Sequence, residues 1–332
     1  MRTIEASKFL LSFKNGRARE FVKRLMLHNY TEAVFEHYPN TIAKDQVYSK
    51  CKNLTDEIFA QIKKYIDQPE HINALLNRLS RVNPKPASFW FKEFDCAYEN
   101  YKHTNKLLFQ LNQLKPFLNG NSFCDIGCGG GDLVYFLKNN YPQFKEYAGI
   151  DVMDWRTEEV KDSINFQILN FSQPGTRSQK KYDTLTCLAV LHHVGNTLES
   201  IGVFLQNLKS AMSENGRLIV EEDVILPVSE IQSDNYYKEQ VEERMRDQPL
   251  FSEFMKLGKA EQKDVLILID LFANALTGGI SDMAFPFGFK TINEWNELFI
   301  ENGFEIEDVR IKGFQVGLFN RSSHVYFILN QV

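Results

Sequence analysis

Ser122-Phe123-Cys124-Asp125-Ile126-Gly127-Cys128-Gly129-Gly130-Gly131-Asp132 runs from a strand, through a glycine turn, into a helix. Phe123, Cys124 and Ile126 read as the end of a buried strand. Gly127, Gly129 and Gly131 read as a tight turn, where a missing Cβ lets backbone pass close to a ligand. Asp132-Leu133-Val134-Tyr135-Phe136-Leu137-Lys138 then opens a helix, with Leu133, Phe136 and Leu137 spaced for one face. The NH groups at that helix start favour an anionic group on the ligand.

A dinucleotide loop reads G-x-G-x-x-G and receives a pyrophosphate. Here the order is Asp-x-Gly-x-Gly-x-Gly, and the carboxylate of Asp125 opposes a diphosphate. It suits a zwitterion that carries an ammonium beside its carboxylate, as the methionine end of S-adenosylmethionine does. A nicotinamide oxidoreductase is disfavoured on the same ground.

The chain's 332 residues allow one large domain with an appendage, or two domains. Net charge is −5 and pI near 5.9, which argues against a broad nucleic-acid-binding face. Five cysteines, with no C-x-x-C pair and no histidine cluster at zinc spacing, read as free thiols in a reducing cytosol, with no metal expected. The apolar run Phe9-Leu10-Leu11 is too short for a signal peptide. Val265 to Leu276 contains Asp270 and Asn274 and falls short of the ~20 residues of a membrane span. The expectation is a cytoplasmic protein without a membrane partner.

Outward from the glycine turn, residues 1–88 read as an N-terminal helical domain. Ala18 to Met26 and Leu54 to Ile66 show three-and-four spacing, with Asn53 or Thr55 as a cap of the second. A further helix is expected over His71 to Leu79. These helices could cap the site, form a homodimer or hold a partner, and the sequence does not choose. The prolines of Val82-Asn83-Pro84-Lys85-Pro86-Ala87-Ser88 mark a linker. Residues 89–332 form the second domain. Phe94 to Leu114 is helical, with a core stripe of Leu107, Leu108, Leu111 and Leu114, while Tyr98, Tyr101 and His103 could instead face a ligand.

From Ser122 strands and helices alternate, which implies a parallel sheet covered on both faces. Tyr147 to Asp151 is a strand whose terminal carboxylate, about 20 residues beyond Gly131, is placed to accept from ribose hydroxyls. Ile164 to Leu169 is the third strand, followed by Asn170 and Phe171, which could meet an adenine. Tyr182 to Leu191 reads as a central strand buried on both faces, emptying into His192-His193-Val194. A helix from Thr197 to Met212 follows, and Arg217 to Asp223 is the fifth strand. Ligands in such sheets bind beyond the carboxyl ends of the strands, where Asp125, Asp151, Asn170, His192 and Glu221 all fall. Residues 227–290 interrupt the alternation; glycines beside aromatics there suggest a helical lid, or equally an oligomer contact. Thr291 with Glu294 forms a capping-box pattern before a helix to Asn302. Glu305 to Lys312 and His324 to Asn330 read as a closing antiparallel pair.

These motifs resemble those of the class I S-adenosylmethionine-dependent methyltransferases. The resemblance covers about Phe94 to Leu226 plus Thr291 to Val332. It rests on Cys124-Asp125-Ile126-Gly127-Cys128-Gly129-Gly130-Gly131, on Gly149-Ile150-Asp151, on Tyr182-Asp183 through His192-His193-Val194, and on Gly216-Arg217-Leu218-Ile219-Val220-Glu221-Glu222. It implies a seven-stranded, mostly parallel Rossmann-like sheet of order 3-2-1-4-5-7-6. By the same likeness Gly127 and Leu188 offer carbonyls to the cofactor ammonium, Asp151 holds the ribose, and Val152 and Phe171 line the adenine. Asn170 stands where many members have Asp. The Asn-Pro-Pro-Tyr type motif of amino-methylating enzymes is absent. His192-His193 is instead similar to the small-molecule branch, including carbon-methylating polyketide synthase domains, where a histidine–glutamate pair occupies similar places.

Methyl transfer to a hydroxyl or an acidic carbon needs a base, and histidine held by a carboxylate suits neutral pH. His192 with Glu221 is the expected pair, with His193 as the other candidate. The expected reaction transfers a methyl group from S-adenosylmethionine, leaving S-adenosylhomocysteine, to a small or carrier-bound metabolite at oxygen, carbon or nitrogen. The expected pocket lies between the N-terminal helices and the 227–290 insertion. One rival is methylation of protein or tRNA, for which Lys23, Arg24, Lys50, Lys52, Lys63 and Lys64 are the candidate basic stripe, though acids interleave. Another is a non-catalytic binding subunit of the same fold, against which the intact glycine loop and Asp151 argue.

Overall fold

The computed structural model describes residues 6–37, 43–64, 66–68, 71, 107–272, 274, 285–314 and 323–332. The expected linker at 82–88, most of the helix expected over 71–79, Tyr98, Tyr101, His103 and most of the glycine-rich part of the insertion lie outside them.

The strands are β1 Ser122–Ile126, β2 Glu146–Asp151, β3 Asn165–Ile168, β4 Tyr182–Leu188, β5 Met212–Ile225, β6 Lys290–Thr291, β7 Phe304–Phe314 and β8 Ser323–Gln331. They form one sheet of order β3-β2-β1-β4-β5-β8-β7, with the two-residue β6 pairing β5 off that path. β1 to β5 run parallel, and β8 runs antiparallel to β5. Leaving aside β6, this is the expected 3-2-1-4-5-7-6 order. The described helices are α1 Ala6–Lys14, α2 Gly16–His37, α3 Lys44–Lys63, α4 Leu107–Leu114, α5 Asp132–Asn140, α6 Glu158–Lys161, α7 Leu191–Val194, α8 Leu198–Leu208, α9 Val228–Gln232, α10 Asn235–Asp247, α11 Pro249–Met255, α12 Lys259–Asp270 and α13 Ile292–Glu301.

Two compact units divide the chain: Leu107–Val224, Lys290–Lys312 and His324–Val332 form one, and Met1–Lys106, Ile225–Phe289 and Gly313–Ser323 the other. The insertion therefore groups with the N-terminal helices rather than with the sheet. The reason is physical. α12 is buried from Val265 to Asp270, and Asp264 accepts from Ser12 Oγ (2.8 Å) and Asn15 Nδ2 (2.7 Å) of the N-terminal segment. Phe9, Phe13, Phe59 and Phe272 form a chain of ring contacts in the same unit, ending in a 5.3 Å stack of Phe59 on Phe272. Each such buried ring contributes roughly 1.5–3 kcal/mol. Thr55 is interior to α3 and donates to the Cys51 carbonyl one turn back (2.8 Å), so it caps nothing.

In the sheet unit, one face is covered by Leu107, Leu111 and Leu114 of α4 and Leu133, Val134 and Leu137 of α5, packed on Phe123, Ile219, Tyr326 and Ile328. Leu108 points outward at 48% exposure, and Val134 rather than Phe136 completes the buried stripe of α5. α8 and α13 serve the other face, where Phe299 meets Phe327 edge-on at 5.2 Å. Thr291 caps α13 as expected: its hydroxyl accepts from Glu294 N–H and Glu294 Oε2 accepts from Thr291 N–H (2.8 Å).

β4 stops at Leu188, three residues short of the sequence reading. Ala189 sits at φ 56°, a left-handed conformation that costs a non-glycine residue of order 1 kcal/mol or more, and α7 begins at Leu191. His192 and His193 therefore stand on a helical turn just past the strand.

Candidate active site

Gly127 and Cys128 both donate backbone N–H groups to the Ile150 carbonyl (2.7 and 3.3 Å), which draws the glycine turn across the end of β2. The three glycines answer to different demands. A Cβ at Gly127 would lie 2.5 Å from Val190 Cγ2, and one at Gly131 would lie 2.8 Å from Ile164 Cδ1. At Gly129 it would meet nothing within 4 Å, so the crest of the turn is open to a ligand. All three have φ between 53° and 76°.

Asp151 ends β2. Its Oδ2 accepts from Gly129 N–H (2.8 Å) and its Oδ1 from Val152 N–H (2.7 Å), which fixes the carboxylate against the glycine crest. Burial raises its pKa, and these backbone donors pull it back. Val152 beside it is 53% exposed, as a residue waiting for an apolar surface would be.

Asp125 lies on the same face as Asp151, since Asp125 pairs with Gly149 and side chains alternate along a strand. Thr186, its register partner on β4, donates its hydroxyl to Asp125 Oδ1 at 2.7 Å. Burial, with the charges of Asp151 and Glu221 adding to it, pushes the Asp125 carboxyl up to about 7 against the pull of the Thr186 hydroxyl. Such a group accepts a cation readily, because a partner charge repays the desolvation of the carboxylate. Cys128 in the turn is held as a neutral thiol by burial and by the same two aspartates.

Leu188 ends β4 opposite Glu221 of β5, and Ala189 N–H donates to the Glu221 carbonyl at 2.7 Å. The expected His192–Glu221 pair is not formed. His192 Nδ1 lies 2.6 Å from Glu222 Oε2, with both side chains buried, and Glu222 Oε1 accepts from Leu191 N–H at 2.6 Å. The cause is strand alternation: Glu222 faces α7, and Glu221 faces away from it. Glu221 instead meets His324 of β8 at 2.8 Å. His193 is half-buried, with its ring centroid 4.0 Å from that of His192.

The adenine candidates separate. Asn170 Oδ1 accepts from Ser172 N–H at 3.0 Å, closing a local turn. Phe171 is buried in edge contact with Phe204 of α8 (5.9 Å), so its ring is engaged in core packing. Sequence reasoning passed over Thr186, Glu222 and His324. Nothing local marks them, because their places follow from register between strands distant in the chain.

A family described as a methyltransferase domain matches residues 67–253. Among curated proteins, a tRNA U34 carboxymethyltransferase of Campylobacter fetus is 28% identical over 121 residues, covering 34% of this chain and 40% of that protein. The mitochondrial ubiquinone biosynthesis O-methyltransferase of Schizosaccharomyces pombe is 21% identical over 190 residues, covering 52% and 65%. The chain spans about half the length of the curated relatives it matches. Among solved structures, an S-adenosylmethionine-dependent methyltransferase from Clostridium acetobutylicum aligns over 72% of this chain and 94% of that one, at 10% identity and a TM-score of 0.40.

Proposed function

Since the chain belongs to the class I S-adenosylmethionine-dependent methyltransferases, we propose that it methylates a small or carrier-bound metabolite, with His192 as the base that takes the acceptor's proton. The observation that carries the cofactor half is the cradle: an open glycine crest between two carboxylates, Asp125 and Asp151, on one face of the sheet. These residues fit the cofactor. Asp125 would receive its ammonium, Asp151 its ribose hydroxyls, Gly127 and Leu188 would offer carbonyls, and Val152 would meet the adenine. Bound S-adenosylmethionine supplies a methyl group already activated on a sulfonium.

The protein's part is then positioning and proton transfer. Glu222 holds His192 Nδ1, which fixes the ring, and Nε2 is the nitrogen assigned to the acceptor's proton. The second carboxylate oxygen of Glu222 is tied to the Leu191 backbone, so the base is carried on a rigid turn.

For the acceptor class, the cations of the N-terminal helices support the small-molecule reading. Lys23 and Lys52 both pair with Asp56, and Arg24 pairs with Glu253. Three of the six candidate cations are thus tied to two acids, which weakens them as phosphate contacts. Among the described residues no helix is long and apolar enough to cross a membrane.

Methyl-labelled S-adenosylmethionine, incubated with the protein and with separated metabolite, protein and tRNA fractions of its source cells, should deliver label to the metabolite fraction. Label in tRNA or protein would overturn the acceptor class. Binding without any transfer would support the non-catalytic alternative.

A further inference from the structure

Glu221, Glu222 and Asp223 are three consecutive acids at the end of β5, and all are buried. Glu222 is matched by His192. Glu221 and Asp223 lie on the opposite face, where β8 sets Tyr326 against Glu221 and His324 against Asp223. His324 Nδ1 is 2.8 Å from Glu221 Oε1 and 3.4 Å from Asp223 Oδ1, within ion-pair reach of both.

This is also the face of the cofactor cradle. Leu188 pairs with Glu221, and Thr186 pairs with Asp125, so Asp125, Thr186, Leu188 and Glu221 share one side of the sheet. Among the described residues, the charged groups placed there are Asp125 of β1, Asp151 of β2, Glu221 and Asp223 of β5 and His324 of β8, with Arg217 further back along β5 and paired with Glu307. Packed against them, α4 carries no titratable side chain. α5 presents Leu133, Val134 and Leu137, with Asp132 in its first turn. The nearby thiols Cys124, Cys128 and Cys187 are held neutral by burial.

We propose that His324 is a positioning residue of the cofactor cradle: it holds Glu221 and Asp223 and offsets their negative charge, so that Asp125 meets the cofactor's ammonium as a carboxylate. The proposal rests on the reading that this cradle binds S-adenosylmethionine. Without the histidine, four carboxylates on one buried face repel one another. β5 is two strands from β1, about 10 Å, and a charge at that distance alters an ionisation equilibrium by about tenfold in a protein-like dielectric. The Glu221 charge already contributes to the raised Asp125 carboxyl.

The test is the affinity for S-adenosylhomocysteine, by calorimetry from about pH 5.5 to about pH 9, for the native protein, His324→Gln, Glu221→Gln and the double variant. His324→Gln should bind about fivefold more weakly near pH 7 and converge on the native affinity at the alkaline end. Adding Glu221→Gln removes the charge that His324 offsets and should restore most of the loss. A deficit equal at every pH, or a double variant as weak as His324→Gln, would show a merely structural histidine and overturn the proposal. A native protein that binds no S-adenosylhomocysteine at any pH would instead sink the cofactor reading beneath it.

Discussion

Asp125→Asn is expected to weaken S-adenosylhomocysteine binding about 100-fold or more at pH 8, and at the same pH to make the ligand-free protein more stable. Both effects come from one buried carboxylate. Its carboxyl titrates at about 7 in the fold, above the 3.8 of an exposed aspartate. A raised carboxyl favours folding at low pH, fully so below about 3.9, and that contribution is lost as pH rises through about 7. At pH 8 the ionised group therefore costs the folded state on the order of 2–4 kcal/mol. Asparagine cannot ionise, and its amide oxygen can still accept from the Thr186 hydroxyl. Thermal scans should show the variant melting above the native protein at pH 8, with the gap closing towards pH 5. A lower melting temperature at pH 8, or unchanged affinity, would contradict the assignment. The same linkage predicts that the native protein binds the ligand more tightly as pH rises to 7 and levels off beyond it.

The second large effect concerns His192. Replacing it with alanine would leave the buried Glu222 carboxylate without its partner, at a cost of about 3–5 kcal/mol in stability. His192→Asn is the cleaner probe: its amide can donate to Glu222 from nearly the position of Nδ1, yet it takes no proton at neutral pH. Turnover should fall by roughly 10²–10⁴, with affinity for S-adenosylhomocysteine within about threefold of the native value. Turnover within about threefold of native would retire His192 as the base, and His193→Asn would then be the variant to examine.

Asp125, the glycine turn and Asp151 were legible because each is a short-range signal. A turn that must come close to a ligand demands glycine, and a carboxylate at a strand end is visible from its own neighbours. Periodicity was enough to find the parallel strands and the closing antiparallel pair, and the order of the strands in the sheet came with the family resemblance. The pairing of His192 was not legible. Three acids in a row, Glu221 to Asp223, follow an unbroken apolar run, so the sequence carries no sign of which acid faces which side. Two later facts settle it: the left-handed turn at Ala189, which starts α7 early, and the register of β8 along β5. His324 was invisible for the same reason, since only the antiparallel return of β8 brings it to Glu221. The grouping of residues 225–289 with the N-terminal helices also escaped, because the ties of Ser12 and Asn15 to Asp264 join segments far apart in the chain.

An acid-flanked glycine turn is expected to receive an ammonium and to reject a diphosphate. Calorimetric titration of the native protein at pH 8 with S-adenosylhomocysteine and, in parallel, with NADH tests it most directly. Saturable one-to-one binding of the adenosyl amino acid, with no heat from the dinucleotide, is the expected result. Binding of NADH in its place would contradict the account.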